Sequence, residues 1–294
     1  MVALEINYKK NNTYMLISRV LTALVLLPLA IYGILFLSND SFAIVFGLIL
    51  LLGAYEWAGF AKFSSKLAKI TLVLVVAIAL YSLWLMNSAL SPQVMSAVVA
   101  VFWLFNLILV FAYPRSAAVW KDKPLIIALM GIILLSLTWY ALVAIHAIAI
   151  LKFAQTSISG PYLVLAVMIL VWLADTGAYF SGRRFGKIKL APEVSPGKSR
   201  EGVFGGLLLA VIIAMLFAFW HKAGLQDYQK IILITVVTVL FSVIGDLMES
   251  MFKRQAGIKD SGNILPGHGG ILDRIDSITA AGPIFYIAIS MVYQ

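Results

Sequence analysis

Residues 229–293 read QKIILITVVTVLFSVIGDLMESMFKRQAGIKDSGNILPGHGGILDRIDSITAAGPIFYIAISMVY. Two apolar runs, at about 229–249 and 275–293, each approach the ~20 residues that cross a hydrocarbon layer ~30 Å thick. Between and beside them lie the cations Lys253, Arg254, Lys259 and Arg274, the carboxylates Asp260, Asp273 and Asp276, and a glycine-rich turn containing His268. Ionisable groups pressed against a bilayer are costly, so such a cluster is a functional-site hypothesis by default. The fold class follows from the same stretch: membrane-length helix, polar connection, membrane-length helix.

Working outward, the pattern repeats. The 294-residue chain is 62% hydrophobic and 12% charged, whereas soluble domains are about half apolar and about a quarter charged. Nine apolar runs are long enough to span, at about 15–37, 41–60, 67–90, 92–113, 124–151, 161–180, 202–221, 229–249 and 275–293. The expectation is an all-α polytopic membrane protein of about nine transmembrane helices. The first run is too long for the apolar region of a signal peptide and no small-residue cleavage site follows it, so it reads as an anchor. The chain has no cysteine, which excludes disulfides, thiolate metal sites and a cysteine nucleophile.

A net charge of +9 would suit nucleic acid, but its distribution argues for a membrane. With the N-terminus in the cytoplasm, 19 of the 22 Lys and Arg residues fall on the cytoplasmic side; only Lys152, Lys222 and Lys230 do not. Such asymmetry marks topology, and predicts a cytoplasmic N-terminus and an outer C-terminus. Anionic lipid and phosphate, not nucleic acid, are the partners this charge suits. The loops divide the chain into two regions. Residues 1–160, about five spans with short loops, read as scaffold and lipid cavity. Residues 161–294 hold two longer cytoplasmic loops, 181–201 and 250–274, and read as the catalytic region.

The chain has only 13 acidic residues, so their places are informative. Asp246 and Glu249 share one helix face at the end of the eighth run, and Asp273 and Asp276 repeat the i, i+3 spacing at the start of the ninth. Any one of these acids could be a salt-bridge partner only. Asp246 and Asp273 together flank the same loop, and hard oxygen ligands at converging helix ends suit Mg²⁺. Glu249, Asp276 and the intramembrane Asp175 are second-rank ligand candidates, and a second metal ion is left open. Asp276 has the alternatives of holding Arg274 or capping its helix. Glu56 reads as a lone partnered acid at the interface, His146 as a satisfied core histidine, and His221 as an interfacial residue.

Two loops suit phosphate. Gly182 to Lys187 superficially resembles a Walker A element but fails it, because the glycines are too close and Ile188 stands where a hydroxyl is required. Ser195-Pro-Gly-Lys-Ser-Arg-Glu-Gly202 offers Lys198, the hydroxyls of Ser195 and Ser199 and backbone amides just before the seventh span; helix N-termini collect anions. Its competing reading is an ordinary basic loop set by topology. Gly202 and Gly206 read as helix packing. In the last loop, Pro266-Gly-His-Gly-Gly270 is a tight turn from which His268 could donate to a phosphate or leaving group.

Residues 250–276, Ser-x-φ-Lys-Arg-x4-Lys-Asp-x-Gly-x2-φ-Pro-x-His-Gly-Gly-φ-x-Asp-Arg-φ-Asp with φ apolar, resemble the signature of the phosphatidate cytidylyltransferases, also called CDP-diacylglycerol synthases. Asp175-Thr-Gly-Ala-Tyr179, Gly182-Arg183, Gly186-Lys187 and the Ser195–Gly202 loop resemble that family's upstream elements; Gly197 and Ser199 depart from it, where lysine and threonine are commoner. The resemblance implies transfer of CMP from CTP to phosphatidate, giving CDP-diacylglycerol and pyrophosphate, with Mg²⁺, at the cytoplasmic face of a bacterial inner membrane. CTP, phosphatidate and membrane lipids are the expected partners, with homodimerisation left open.

Together these readings place Asp246, Asp273, Lys253 and His268 in catalysis. Ser195, Lys198, Ser199, Arg254, Lys259, Asp260, Gly269, Gly270 and Arg274 are the expected substrate contacts. The nucleophile would be the lipid's own ionised phosphate, so no general base is required. An ion-coupled transporter and another lipid-linked phosphotransferase are the alternatives; a transporter would place charges near the midplane of several spans, and here they cluster at one face.

Overall fold

A computed structural model describes residues 22, 24–86, 89–265, 267 and 269–293. Its frame is helical: α1 (Leu24–Phe36), α2 (Asn39–Phe60), α3 (Lys66–Met86), α4 (Pro92–Phe111), α5 (Pro124–His146), α6 (Gly160–Phe185), α7 (Arg200–Trp220), α8 (Leu225–Ala256) and α9 (Leu272–Tyr293). Eight of these, α2 to α9, are long and apolar enough to cross a membrane. Helix α1 is the described part of the run expected at 15–37, whose residues 15–21 and 23 lie outside the described residues. The protein is an all-α polytopic membrane protein with two small hairpins, β1 (Leu151–Phe153) with β2 (Thr156–Ile158) and β3 (Lys189–Ala191) with β4 (Ser195–Ser199).

Helix α5 forms the centre. It is buried along most of its length and packs on α2, α3, α6 and α9, so the helices before and after residue 160 share one core. Large rings lock it in place. Trp57 of α2 donates its Nε1–H to the Ile127 carbonyl at 2.7 Å, and Trp139 of α5 donates to the Ala43 carbonyl at 2.9 Å. A Cβ on Gly131 would overlap the Trp57 indole, so the helices close only over glycine there. His146 is the core residue its sequence context indicates: Nδ1 faces Asn39 Oδ1 at 3.1 Å, Nε2 faces the Ile34 carbonyl at 3.0 Å, and the ring stacks on Phe42.

Three boundaries differ from the hydropathy pattern, each for a local reason. Helix α5 stops at His146, and the apolar residues after it enter the β1–β2 hairpin, which turns at Ala154 with φ 50. Helix α6 continues to Phe185, and much of the expected 181–201 loop is paired as β3–β4. Helix α8 passes residue 249 and runs to Ala256, where Gly257 ends it in the left-handed region at φ 78; glycine takes that conformation without steric cost. At about 1.5 Å per residue α8 is roughly 48 Å long, more than a hydrocarbon core needs, so its last turns carry Lys253 and Arg254 beyond it.

Candidate active site

Glycine lets two helix pairs approach closely enough to build the site. On α7, a Cβ at Gly206 would overlap the Ala174 carbonyl of α6, and one at Gly177 of α6 would lie 2.8 Å from the Gly205 carbonyl. The Gly202–Gly206 pair is therefore packing, as its spacing suggests. This crossing sets Asp175, Tyr179 and Arg183 beside the start of α7. On α8, a Cβ at Gly245 would sit 2.6 Å from the Asp276 carbonyl of α9, so Asp246 is brought beside Asp276.

A cavity of about 380 Å³ opens between α6, α7 and α8, lined by Asp175, Tyr179, Arg183, Lys198 and Ser199, a glycine face, and apolar side chains including Val203, Val239 and Val243. Lys198 Nζ meets Asp246 Oδ2 at 2.5 Å, and Ser250 Oγ donates to Asp246 Oδ1 at 3.2 Å. Arg183 donates to the Tyr179 hydroxyl at 3.1 Å. Ser199 is the N-cap of α7, its Oγ accepting from the Gly202 amide at 3.1 Å. That bond turns the hydroxyl expected to contact substrate partly to helix capping. The hairpin carrying Lys198 is tied down from α8, because Arg254 Nε donates to the Val194 carbonyl at 3.2 Å.

Beyond Asp246 lies a second, more enclosed cluster. Lys253 Nζ donates to Asp273 Oδ1 at 2.7 Å and lies 3.2 Å from Glu249 Oε1. Asp273 Oδ2 accepts from the Ser261 amide at 2.9 Å, the Gly270 amide at 2.9 Å and the Ser261 hydroxyl at 3.1 Å. The Glu249 carboxylate is buried and neither oxygen accepts a well-formed hydrogen bond. Asp276 Oδ1 accepts from the Ser277 amide at 2.7 Å; it sits inside α9 rather than at its cap.

Asp175, Asp246, Asp276, Glu249 and Asp273 are close enough to interact electrostatically, and two lysines stand among them. Five carboxylates against two ammonium groups at the edge of a membrane fit a divalent cation. No three of the described acidic or imidazole side chains converge into a ready cage. Mg²⁺ suits such a site, since it is usually held by one or two carboxylates and completes its shell with water and substrate phosphates. Asp246, whose side chain is 25% exposed, is the carboxylate left open to such an ion. Asp273 has both oxygens engaged by protein donors.

The sequence profile of the cytidylyltransferase family matches residues 17–292. The chain belongs to that family. Within it, the chain is 42% identical over 274 residues to the phosphatidate cytidylyltransferase of Pseudomonas aeruginosa, covering 92% of this chain and 96% of that protein. Against the phosphatidate cytidylyltransferase of Haemophilus influenzae it is 39% identical over 286 residues, covering 92% and 97%. The Staphylococcus haemolyticus enzyme of the same name matches at 44% over 145 residues, about half of each chain.

Set beside this cytidylyltransferase frame, the sequence-derived candidates fall into three groups. Asp175, Lys198 and Ser199 line the cavity, with Asp246 joined to it through Lys198; Glu249, Lys253, Asp273, Gly269 and Gly270 form the enclosed cluster, with Gly269 at φ 82 in the turn closed by the Leu265 amide and the Gly269 carbonyl. Ser195 lies in β4 opposite Ala191, while Lys259, Asp260 and Arg274 are exposed at the same end of the bundle. His268 and Pro266 lie outside the described residues. Sequence reasoning undervalued Glu56. This α2 side chain is buried and receives the Ile271 amide, the Leu272 amide and the Ser261 hydroxyl, each at 2.9 Å. Its signals in the sequence are an acid inside an otherwise apolar run and a resemblance to the family in the Glu56-Trp57 neighbourhood.

Proposed function

We propose that this membrane enzyme, a phosphatidate cytidylyltransferase, works in the cavity where α6, α7 and α8 meet, at the cytoplasmic face of a bacterial inner membrane. A phosphate oxygen of phosphatidate attacks the α-phosphorus of CTP. The bond from that phosphorus to the oxygen bridging to the β-phosphorus breaks, pyrophosphate departs, and CDP-diacylglycerol remains in the bilayer. The attacking oxygen is already ionised, so no residue has to remove a proton.

The protein's task is electrostatic: to hold two polyanions together and to stabilise charge on the leaving group. Lys198 is the mobile cation of the cavity, since its partner Asp246 is equally accessible and the pair can open to admit phosphate. The Gly197–Gly202 segment leads into the N-terminus of α7, where the helix dipole favours anions. Arg183 and Tyr179 line the cavity, and their cation and hydroxyl suit the lipid phosphate. Lys253 sits between Glu249 and Asp273 and fixes the end of α8 against the start of α9. Asp246, with Asp175 and Asp276 at hand, would hold Mg²⁺. Bound there, the cation would neutralise charge on the nucleotide phosphates.

The observation that carries this reading is the Lys198–Asp246 pair standing open over a glycine-walled cavity in a chain otherwise built for lipid. Purified protein in detergent or nanodiscs should release pyrophosphate only when CTP, phosphatidate and Mg²⁺ are all present. Well-folded protein that releases none would overturn the reading. Its sidedness rests on the charge asymmetry of the loops. Reporters at residues 187 and 259 should both lie inside; finding either outside would reverse that assignment.

A further inference from the structure

Glu56 comes from the half of the chain that sequence reading treats as scaffold, yet both of its oxygens are bonded to the signature loop. Its position is set by packing. Trp57, the next residue, is fixed to α5 through the Ile127 carbonyl, fits against Gly131, and lies 5.2 Å ring to ring from Phe252 of α8. With α2 pinned this way, Glu56 projects onto the start of α9. Oε1 accepts the Ile271 amide and Oε2 the Leu272 amide. Those amides stand at the start of α9, Ile271 just before it and Leu272 its first residue, where a helix has no internal acceptors to offer. A side chain more than 200 residues away in sequence thus helps cap the start of α9, and its charge suits a helix N-terminus.

The loop is shaped around this carboxylate. A Cβ at Gly262 would stand 2.5 Å from Glu56 Oε1, and one at Gly270 would stand 2.5 Å from Oε2 and overlap Ser261 Oγ. Two of the signature's glycines therefore have a physical reason that involves no substrate. Ser261 completes the connection. Its hydroxyl is 2.9 Å from Glu56 Oε2 and 3.1 Å from Asp273 Oδ2, and one hydroxyl has one proton to donate. The two carboxylates share it. Asp273 in turn bonds Lys253, so Glu56 reaches the enclosed cluster through a single hydroxyl and one helix start.

We infer that Glu56 is a positioning residue of the transfer reaction, holding the start of α9 and Ser261 so that Asp273 and Lys253 keep their places beside the cavity. The inference rests on the function proposed above and extends it to a residue from the scaffold half. The competing view is a staple that stabilises the fold without affecting catalysis.

The test uses the full chain in nanodiscs as Glu56→Gln and, with the charge kept but the reach shortened, Glu56→Asp. Three quantities are read: amide exchange across residues 258–273, thermal stability, and kcat with KM for CTP per folded molecule. Glu56→Gln is expected to speed exchange at Ile271 and Leu272 and to lower kcat ~100-fold, the scale of an ångström-level misplacement at a reacting centre, with KM for CTP changed far less. Glu56→Asp should fall between it and the wild type, and carries the test should Glu56→Gln not fold. Faster exchange with unchanged kcat would reduce Glu56 to a staple, and lost kcat with unchanged exchange would mean it acts by another route; either overturns the inference. Wild-type protein without pyrophosphate release would instead bring down the proposed function, while exchange would still report whether Glu56 holds the loop.

Discussion

Two lysine–carboxylate pairs lie at the same end of this bundle and live in different surroundings. In the Lys198–Asp246 pair the side chains are 26% and 25% exposed; in the Lys253–Asp273 pair they are 12% and 7%, with Glu249 at 5%. The first stands at the mouth of a cavity, on a hairpin and a helix face. The second is enclosed by α8, α9 and the signature loop. An exposed pair is worth little to stability and exchanges readily with solvent or a charged ligand. An enclosed pair is hard to break, because removing one partner strands the other charge away from water. That difference is the ground for proposing the open pair as the substrate contacts and the closed pair as the frame.

The largest effect that would sharpen this contrast is at Asp246. Asp246→Asn keeps the shape and removes the charge. If it holds Mg²⁺ on the nucleotide, losing several kcal/mol of transition-state stabilisation corresponds to ~1,000-fold in kcat or more. Thermal stability should barely move, since Lys198 is freed into an open cavity. Near-normal turnover at limiting Mg²⁺ would transfer the metal role elsewhere.

Lys253→Met should show the opposite balance. It strands Glu249 and Asp273 in the enclosed cluster, a loss of about 3–5 kcal/mol by analogy with other buried pairs, so folded protein is lost along with activity. Adding Glu249→Gln, which removes the buried carboxylate that has no well-formed hydrogen bond, should restore part of the stability. A Lys253→Met protein as stable as wild type would break the comparison at its closed end.

Third in size, Lys198→Gln removes a charge-assisted contact worth about 1.5–3 kcal/mol, or roughly 10- to 150-fold in kcat/KM. Stability should again be unchanged. Separate titrations of CTP and phosphatidate would show which phosphate Lys198 serves.

The helical frame was legible in the sequence because a bilayer imposes length and apolarity on every span, a demand no local preference can override. Where the chain leaves the bilayer that demand lapses, which is why the α8 extension to Ala256, the β3–β4 pairing and the early stop of α5 were not visible in hydropathy. The site was legible in part. Spacing on α8 and α9 brought Asp246, Glu249, Asp273 and Asp276 to one place, since i, i+3 neighbours share a face. How they divide was not: that Asp273 is saturated by Ser261, Gly270 and Lys253 while Asp246 stays open depends on the loop's path back across α9. Glu56 shows the limit most clearly. A single acid within an apolar run gives no indication of a partner 215 residues away; where it points is fixed by Trp57, held by the Ile127 carbonyl, Gly131 and Phe252.

The smallest predicted effect is the control on all of these. Lys62, Lys66 and Lys69 follow α2, whose last turns carry Glu56 to the signature loop, so they stand at the same end of the bundle as Lys198. Lys62 and Lys66 are exposed, and Lys69 lies over the Tyr55 ring at 5.4 Å. Both groups of lysines satisfy charge sidedness equally, so membrane orientation cannot separate them; only contact with phosphate can. Replacing Lys62, Lys66 or Lys69 singly with Gln should leave kcat/KM for CTP and for phosphatidate within about twofold, in keeping with a surface change of at most ~0.5 kcal/mol. Should these variants instead lose as much as Lys198→Gln, the enzyme would be responding to the summed positive potential of that end of the bundle. The open pair at the cavity would then have no special claim on the substrate.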